Sequence, residues 1–325
     1  MVKRILWLLA FLLLAAGTLA EAQQAKKVPR IGYLAVSTAS AHSVRIEAFR
    51  QGLRDLGYVE GQNIVIEYRY AEANSNRLAD LAAELVRLKV DAIVTTGTEG
   101  ALAAKRATTT IPIVTTTGDA LAAGVIASLA RPGENITGLT NVAVDLSGKR
   151  LELLKESVPR ITRVGVLFTS NDPGAAANFK ETEKTARALG LQVQSLEVRS
   201  VKEFDAAFKR ATEARIHALD VLGAASMNAR RTQIVEFAIR SRLPTMFAES
   251  AFVEAGGLMF YGPNTPDLYR RAATYVDKIL KGSKPADLPV EQPKKFDFIV
   301  NLKTAKQIGV TIAPEVLARA TKLIK

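Results

Sequence analysis

A strand-and-loop motif occurs twice in this chain, and the duplication limits the possible folds more than any other feature. Residues 30–38 form a short apolar run that passes into a hydroxyl-rich loop, and residues 163–170 repeat this pattern. The predicted helix after each copy ends in a Leu-Gly pair, at Gly57 and at Gly190, with the same separation. Pro112 and Pro244 follow this spacing to within one residue. We therefore predict two similar lobes in one chain, with a site between them.

Apolar strands alternate with helical patterns in both copies. The first copy predicts strands at residues 31–36, 63–68, 91–96, 111–115 and 136–140, and the second at residues 164–168, 192–198, 218–222, 245–247 and 258–261. Most of the gaps have the spacing of an amphipathic helix, including residues 121–130. A last strand at residues 296–300 precedes helices at 302–308 and 314–324. This alternation predicts an α/β fold with two Rossmann-like, doubly wound parallel sheets.

The residue types present exclude several kinds of chemistry. The sequence has no cysteine and only two histidines, which excludes disulfides, thiolate ligands and a multi-histidine metal site. The loop after the first strand lacks a G-x-G-x-x-G pattern, and neither a P-loop nor a G-x-S-x-G elbow occurs. The histidines, His42 and His217, have no neighbours that suggest a Ser-His-Asp triad. We therefore expect no metal, no cofactor and no catalysis.

The first 22 residues have the pattern of a cleavable signal peptide. Lys3 and Arg4 precede an apolar run at residues 5–20, which is short for a membrane span of about 20 residues. Ala20-Glu21-Ala22 offers an A-x-A cleavage site, and an uncleaved anchor is the alternative. Because the chain has no cysteine, a lipoprotein anchor is excluded. We expect an exported, periplasmic protein.

The net charge of +12 raises the question of a nucleic-acid partner. The basic residues are spread along the predicted helices, without a dense run or interleaved aromatic residues. We therefore interpret the charge as a solvated surface and expect no nucleic-acid partner.

Polar residues follow the predicted strands of both lobes, at the sheet edge where ligands bind in open parallel sheets. In the first lobe they are Ser37, Thr38, His42, Thr96, Gly97, Thr98, Thr116, Thr117 and Asp119. In the second lobe they are Ser170, Asn171, Ser226, Glu249 and Tyr261. Hydroxyl groups and helix N-termini suit a carboxylate, whereas Asp119, Asp172 and Glu249 suit an ammonium group.

Each candidate also has a structural interpretation. Serine, threonine and aspartate are common helix N-caps, so each could cap a helix without touching a ligand. His42 could be a surface or capping residue, and Tyr261 could pack within its own lobe. The threonine-rich segments at residues 95–98 and 115–119 lie at the ends of two neighbouring strands, which strengthens the binding interpretation for that cluster.

An ordered set of motifs resembles a known family. The segments are KVPRIGYL at residues 27–34, FRQGLRDLGY at 49–58, IPIV at 111–114, RPGENITG at 131–138 and NLKTAK at 301–306. Together they resemble the ABC-transporter substrate-binding proteins of the tryptophan-binding-protein-like group, and the likeness covers essentially all of the chain after the predicted signal peptide.

The resemblance implies a type 1 periplasmic binding protein with a three-segment hinge. The crossings would fall near residues 141–145, 262–265 and 291–296. The N-terminal lobe would comprise residues 28–142 plus 265–292, and the C-terminal lobe residues 143–264 plus 293–325.

The resemblance also implies a monomer that closes on an amino acid or related carboxylate and delivers it to an ABC permease and its ATPase. The contacts would come from Ser37, Thr38, residues 96–98 and 116–119, Ser170, Asn171, Ser226 and Glu249. A sensory protein that partners a membrane receptor, and an exported enzyme on the same fold, are the alternatives.

Overall fold

The computed structural model describes residues 27–325, apart from residues 73, 119, 122, 142 and 172. The predicted signal peptide, Asp119 and Asp172 lie outside the described residues. Within the described part of the chain, no helix is both long enough and apolar enough to cross a membrane.

The first lobe is built on five parallel strands in the order β2-β1-β3-β4-β5. The strands are β1 (Arg30–Ala35), β2 (Val65–Tyr70), β3 (Ala92–Thr96), β4 (Ile113–Thr117) and β5 (Ile136–Thr140). Strands β3, β4 and β5 are buried along their whole length, as expected for parallel strands covered on both faces. The helices that connect them are α1 (Ser43–Asp55), α2 (Leu78–Arg87) and α3 (Gly97–Ala107), with 3₁₀ turns at Ser40–His42 and Ser75–Arg77.

The second lobe has a seven-stranded sheet in the order β12-β11-β10-β9-β8-β6-β7. Its strands are β6 (Arg163–Phe168), β7 (Gln192–Glu197), β8 (Ala218–Val221), β9 (Thr245–Phe247), β10 (Met259–Pro263), β11 (Phe296–Asn301) and β12 (Lys322–Ile324). Its helices are α4 (Ala143–Ser157), α5 (Pro173–Ala188), α6 (Phe204–Glu213), α7 (Ala225–Ala229), α8 (Arg231–Arg240) and α9 (Ala251–Glu254), with α11 (Leu302–Ile308) and α12 (Pro314–Leu317) after β11. A 3₁₀ turn at Val201–Glu203 precedes α6.

After β10 the chain returns to the first lobe. Helix α10 (Thr265–Leu280) packs against α1 so closely that a Cβ added at Gly52 would lie 2.4 Å from the carbonyl oxygen of Arg270. A 3₁₀ turn at Pro285–Asp287 follows, and the next residues run along β5. There Thr137 Oγ1 donates to the Leu288 carbonyl at 2.7 Å, and the Thr140 N–H donates to the Glu291 carbonyl at 3.0 Å.

The chain crosses between the lobes three times. It leaves the first lobe between β5 and α4, returns between β10 and α10, and leaves again between Glu291 and β11. Each lobe has its own buried apolar clusters on the two faces of its sheet. The predicted fold class, two α/β lobes joined by three segments, is confirmed.

The C-terminal part of the chain differs from the sequence-based expectation. Strand β11 pairs antiparallel with β10, because the chain re-enters the second lobe from the opposite direction. Of the helix predicted at residues 314–324, only Pro314–Leu317 is helical. Residues 322–324 instead form β12, parallel to β11 at the edge of the sheet.

The helix predicted at residues 121–130 is also wrong, because the described residues of this stretch form turns and bends. Gly124 takes a φ of +68°, which a right-handed helix does not allow. The N–H groups of Val125 and Ile126 both donate to the carbonyl of Ala120, and these hydrogen bonds close the chain into a compact loop.

Candidate functional site

The two lobes enclose a cavity with a volume of about 120 Å³ at the carboxyl ends of their strands. Both lobes contribute to its wall, which is partly apolar and partly polar. Its larger apolar side chains include Val36, Leu139, Leu146 and Leu268. Such a concave, mixed surface between two domains is typical of small-molecule sites.

Threonine hydroxyl groups form one side of the cavity. Strand β3 ends at Thr96 and β4 ends at Thr117, so their side chains meet at one sheet edge. Thr98 Oγ1 and Thr117 Oγ1 lie 3.0 Å apart in a buried hydrogen bond. Thr116 Oγ1 donates to the Thr95 carbonyl at 3.4 Å. The buried hydroxyl groups are thus held in fixed positions at the wall.

Helix α3 begins at the same place. Its first residue, Gly97, lines the cavity, and the side chain of the preceding Thr96 does not cap the helix. The first N–H groups of a helix have no partner within it, and they carry the positive end of the helix dipole. This arrangement suits a carboxylate or another anion.

His42 lies in the cavity wall as a neutral ring. Its side chain is buried, and its Nδ1 makes no hydrogen bond with any described residue. Burial and the neighbouring Arg45 guanidinium both hold the pKa of His42 well below its usual range. The ring packs edge-on against Tyr33, with the centroids 6.3 Å apart. His42 therefore adds a polar but uncharged surface at neutral pH.

An ion pair joins the two lobes at the cavity. Arg45 Nη2 of α1 donates to Glu249 Oε2, which follows β9 in the second lobe. Burial opposes the charge on Arg45, but the Glu249 carboxylate outweighs this effect and raises the pKa of the guanidinium. Glu249 was predicted to bind a ligand ammonium group, yet the structure gives its carboxylate a partner within the protein.

A second group of buried polar side chains lies in the second lobe. Arg150 of α4 lines the cavity and donates from Nη2 to Ser147 Oγ at 2.9 Å. Asp220 of β8 lies behind the cavity wall with no exposed surface, and neither carboxylate oxygen accepts a hydrogen bond from a described residue. Burial raises the pKa of Asp220 to about 6, although the Arg150 charge acts in the opposite direction.

The structure brings seven of the predicted residues to the cavity wall. The seven are His42, Thr96, Gly97, Thr98, Thr116, Thr117 and Glu249. Asp119, the remaining candidate of that loop, lies outside the described residues.

Two candidates from the first crevice loop are not part of the wall. Ser37 is buried beside the cavity, and its Oγ has no hydrogen-bond partner among the described residues. Thr38 instead closes its own turn, where its Oγ1 accepts from the Ala41 N–H at 3.3 Å.

In the second lobe the loop after β6 turns away from the cavity. Ser170 bonds to Glu197, and Asn171 Nδ2 donates to the Arg199 carbonyl at 2.7 Å, so both side chains point along β7. Ser226 belongs to the short helix α7 and does not line the cavity. Tyr261 packs against Phe296 within its own lobe, with ring centroids 6.4 Å apart.

Seven polar residues of the wall were missed by the sequence analysis because they lie inside helices or in a crossing segment. They are Arg45, Glu99, Asn141, Arg150, Asn178, Thr265 and Tyr269. Arg45 follows His42 by three residues, which places it about one helical turn away, and this spacing could have indicated it. The resemblance placed residues 265–292 in the N-terminal lobe, but Tyr269 had no such signal because it lies within helix α10 and not at a strand end.

Comparison with known proteins identifies the family. The family model for ABC transporter substrate binding proteins matches residues 34–324, nearly all of the described chain. The chain belongs to this family. Its curated relatives include the "Tyrosine-binding protein" of Clostridioides difficile (strain R20291), 26% identical over 269 residues, which covers 81% of this chain and 76% of the relative.

Two solved structures of relatives extend the likeness to three dimensions. The ABC domain from Streptococcus pneumonia in complex with L-Trp is 25% identical, with a TM-score of 0.83 over 90% of this chain and 100% of that chain. The ligand-free, open structure of a substrate-binding protein from Clostridium difficile is 27% identical, with a TM-score of 0.67 over 92% of this chain and 99% of that chain. The structure therefore superposes better on the L-Trp complex than on the open form.

Proposed function

We propose that this protein is an exported solute-binding protein that captures an amino acid or a related carboxylate between its lobes and delivers it to an ABC permease and its ATPase. The observation that carries this proposal is the cavity wall. The threonine hydroxyl groups and the N-terminus of α3 lie on one lobe, and Arg150 and Asn178 lie on the other. A ligand that contacts both sides favours the closed arrangement of the lobes.

The relatives support the ligand class. One is named for tyrosine, and another was solved with L-Trp, so amino acids are the first compounds to test on this chain. A carboxylate fits the N–H groups of α3 and the hydroxyl groups of Thr98 and Thr117. Glu249 is not a free partner for the ligand ammonium group in this closed arrangement, because it already pairs with Arg45.

Export, oligomeric state and the lobe boundaries are proposed from the sequence. The basic residues, apolar run and A-x-A site of residues 1–22 support export through a cleavable signal peptide. We propose a monomer, with the hinge at the three crossings and lobe boundaries at residues 142–143, 264–265 and 292–293. A sensory role would use the same closure, with a membrane receptor in place of the permease.

A thermal-shift screen of the protein from Gln23 onward tests ligand binding. The panel contains the amino acids, aromatic acids, sugars and nucleosides. A ligand at about a hundred times its Kd adds about 2.7 kcal/mol to the free energy of unfolding, which raises Tm clearly. We expect hits among carboxylate-bearing compounds, together with a smaller radius of gyration in solution scattering.

A pair of threonine variants supplies the control. Thr117→Val removes a hydroxyl group from the cavity wall, whereas Thr274→Val makes the same change on the exposed face of α10. We expect the first to weaken ligand binding by about tenfold through one lost hydrogen bond, and the second to leave it unchanged. If the hits bind both variants equally, or are only uncharged sugars, the proposed site and ligand class are wrong.

A further inference from the structure

The Arg45–Glu249 ion pair stands between two interlobe cavities. Both side chains line the inner cavity described above, and both also line an outer cavity of about 260 Å³. The outer cavity is bounded by Ser40 on the first lobe and by Arg231 and Ser250 on the second. Together with Thr265, which also lines both cavities, the pair therefore forms the partition between the proposed ligand site and the outer part of the cleft.

The two members of the pair are fixed to different lobes. Arg45 lies on α1, whose backbone is in contact with α10 at Gly52. Glu249 follows β9, and its carbonyl accepts from the Phe252 N–H at 3.3 Å at the start of α9. Because each residue moves with its own lobe, the two side chains separate when the lobes separate. The ion pair therefore exists only while the cleft is closed.

No other ion pair among the described residues joins the two lobes away from the crossings. Arg271–Glu291 and Lys295–Asp267 both lie at the crossing segment before β11. Exposed pairs such as Arg54–Glu47 lie within one lobe. Among the described residues, opening the cleft thus breaks one ion pair away from the crossings, and the loss of this pair destabilises only the closed form.

The environment of the pair makes the contact stronger than a surface pair. The side chains of Arg45 and Glu249 are only 16% and 20% exposed, so water screens their attraction less. The neighbouring His42 is neutral and does not repel Arg45. The charges return to water when the lobes separate, so the net gain is the attraction less the cost of desolvation.

We propose that Arg45 and Glu249 form an interlobe latch that stabilises the closed state even without ligand and separates the inner site from the outer cleft. This inference rests on the proposed closure of the lobes around a ligand. Because the latch holds the ligand-free protein closed, it also affects the rates at which a ligand enters and leaves the inner site. Elevated salt weakens the latch and opens the empty protein.

Distance measurements between spin labels on the ligand-free protein test the latch directly. The chain has no cysteine, so single cysteines at exposed helix positions, Arg106→Cys in the first lobe and Lys209→Cys in the second, accept labels without background. Glu249→Gln removes the charge and keeps the side-chain shape. We expect this variant to lower the ratio of closed to open protein by roughly tenfold. The loss of a surface ion pair changes such a ratio by a few-fold, and the loss of a part-buried pair has a larger effect.

Two comparisons keep the test independent of folding. Glu47→Gln breaks the exposed ion pair with Arg54 on the same helix and should leave the distances unchanged. The double variant Arg45→Glu, Glu249→Arg should restore much of the closed population by reversing the pair. In the unmutated protein, 1 M NaCl should lengthen the mean distance, a result that needs no substitution at all.

The outcomes separate the latch from the proposed function. If the unmutated, ligand-free protein and Glu249→Gln give the same distance distribution, whether open or closed, the latch is wrong, even when the thermal-shift screen finds ligands. If Glu249→Gln opens the protein and the charge reversal closes it again, the latch stands, whatever the screen shows. If the screen finds no ligand, only the proposed function is refuted.

Discussion

Replacing Asp220 with asparagine should stabilise the protein at neutral pH. Asp220 lies in β8 with Val166 of β6 and Met246 of β9 as its register neighbours, and its side chain has no exposed surface. Neither carboxylate oxygen accepts a hydrogen bond from the described residues, and Arg150 is the charge that opposes the effect of burial. Asparagine keeps the shape of the side chain and removes the charge that burial disfavours.

The magnitude follows from the pKa of Asp220, which burial raises from 3.8 to about 6. The Asp220 carboxyl group loses its proton at a higher pH in the folded state than in the unfolded state. Ionisation of Asp220 therefore destabilises the folded state. The full cost is present above pH 6, and it disappears below the pKa of the unfolded state. Linkage gives a cost of about 3 kcal/mol at pH 8 and less than about 1 kcal/mol at pH 4. Asp220→Asn should therefore raise the free energy of unfolding by about these amounts.

Urea denaturation followed by circular dichroism at pH 8 and pH 4 measures both values. Asp55→Asn, at the exposed end of α1, is the matched control and should change the free energy of unfolding little at either pH. The reasoning would be refuted by an Asp220→Asn variant that is no more stable at pH 8. A gain that is equal at both pH values would also refute it, because the effect would then not depend on ionisation.

Two further predictions concern a glycine in the first sheet and a histidine in the cavity wall. Gly138→Ala should cost roughly 2–5 kcal/mol in urea denaturation, because φ is +136° and an added Cβ would lie 2.1 Å from the Thr115 carbonyl oxygen. Gly61→Ala, also at positive φ but with open space around it, should cost less, and equal losses would contradict the close-contact argument. His42 should stay neutral well below pH 6.5 in an NMR titration, because burial and Arg45 lower its pKa, and a midpoint near 6.5 would show that the ring is hydrated.

The repeated motif was sufficient to predict the two lobes, because each copy contains complete βα units with local signals. Strand β1 and strand β6 both begin at the arginine that starts the motif and run through its apolar residues. The strand-end threonines could also be placed near the cavity, since the carboxyl ends of adjacent parallel strands share one edge. Thr96 and Thr117 therefore lie where the sequence pattern indicated.

Features that depend on distant parts of the chain could not be predicted in this way. Whether Glu249 is free for a ligand depends on Arg45, 204 positions away in sequence. Leu323 pairs with Val300 because β11 offers an open edge, and a local pattern of apolar residues does not distinguish that strand from a helix. The loop at Ser170 was predicted to contact a ligand. Its direction instead follows from the hydrogen bond between Ser170 and Glu197 on the neighbouring strand.

The return of α10 to the first lobe has a consequence for how the protein is made. The apolar face of α1, with Ile46, Phe49 and Leu53, shares its buried cluster with Leu268 and other residues of α10. A chain that emerges from the ribosome in order has synthesised most of the second lobe before α10 covers that face. The first lobe therefore cannot complete its core until α10 has been synthesised, and the order of assembly differs from the order of translation. Such a chain stays incompletely folded until it is almost finished, which is compatible with the export proposed above.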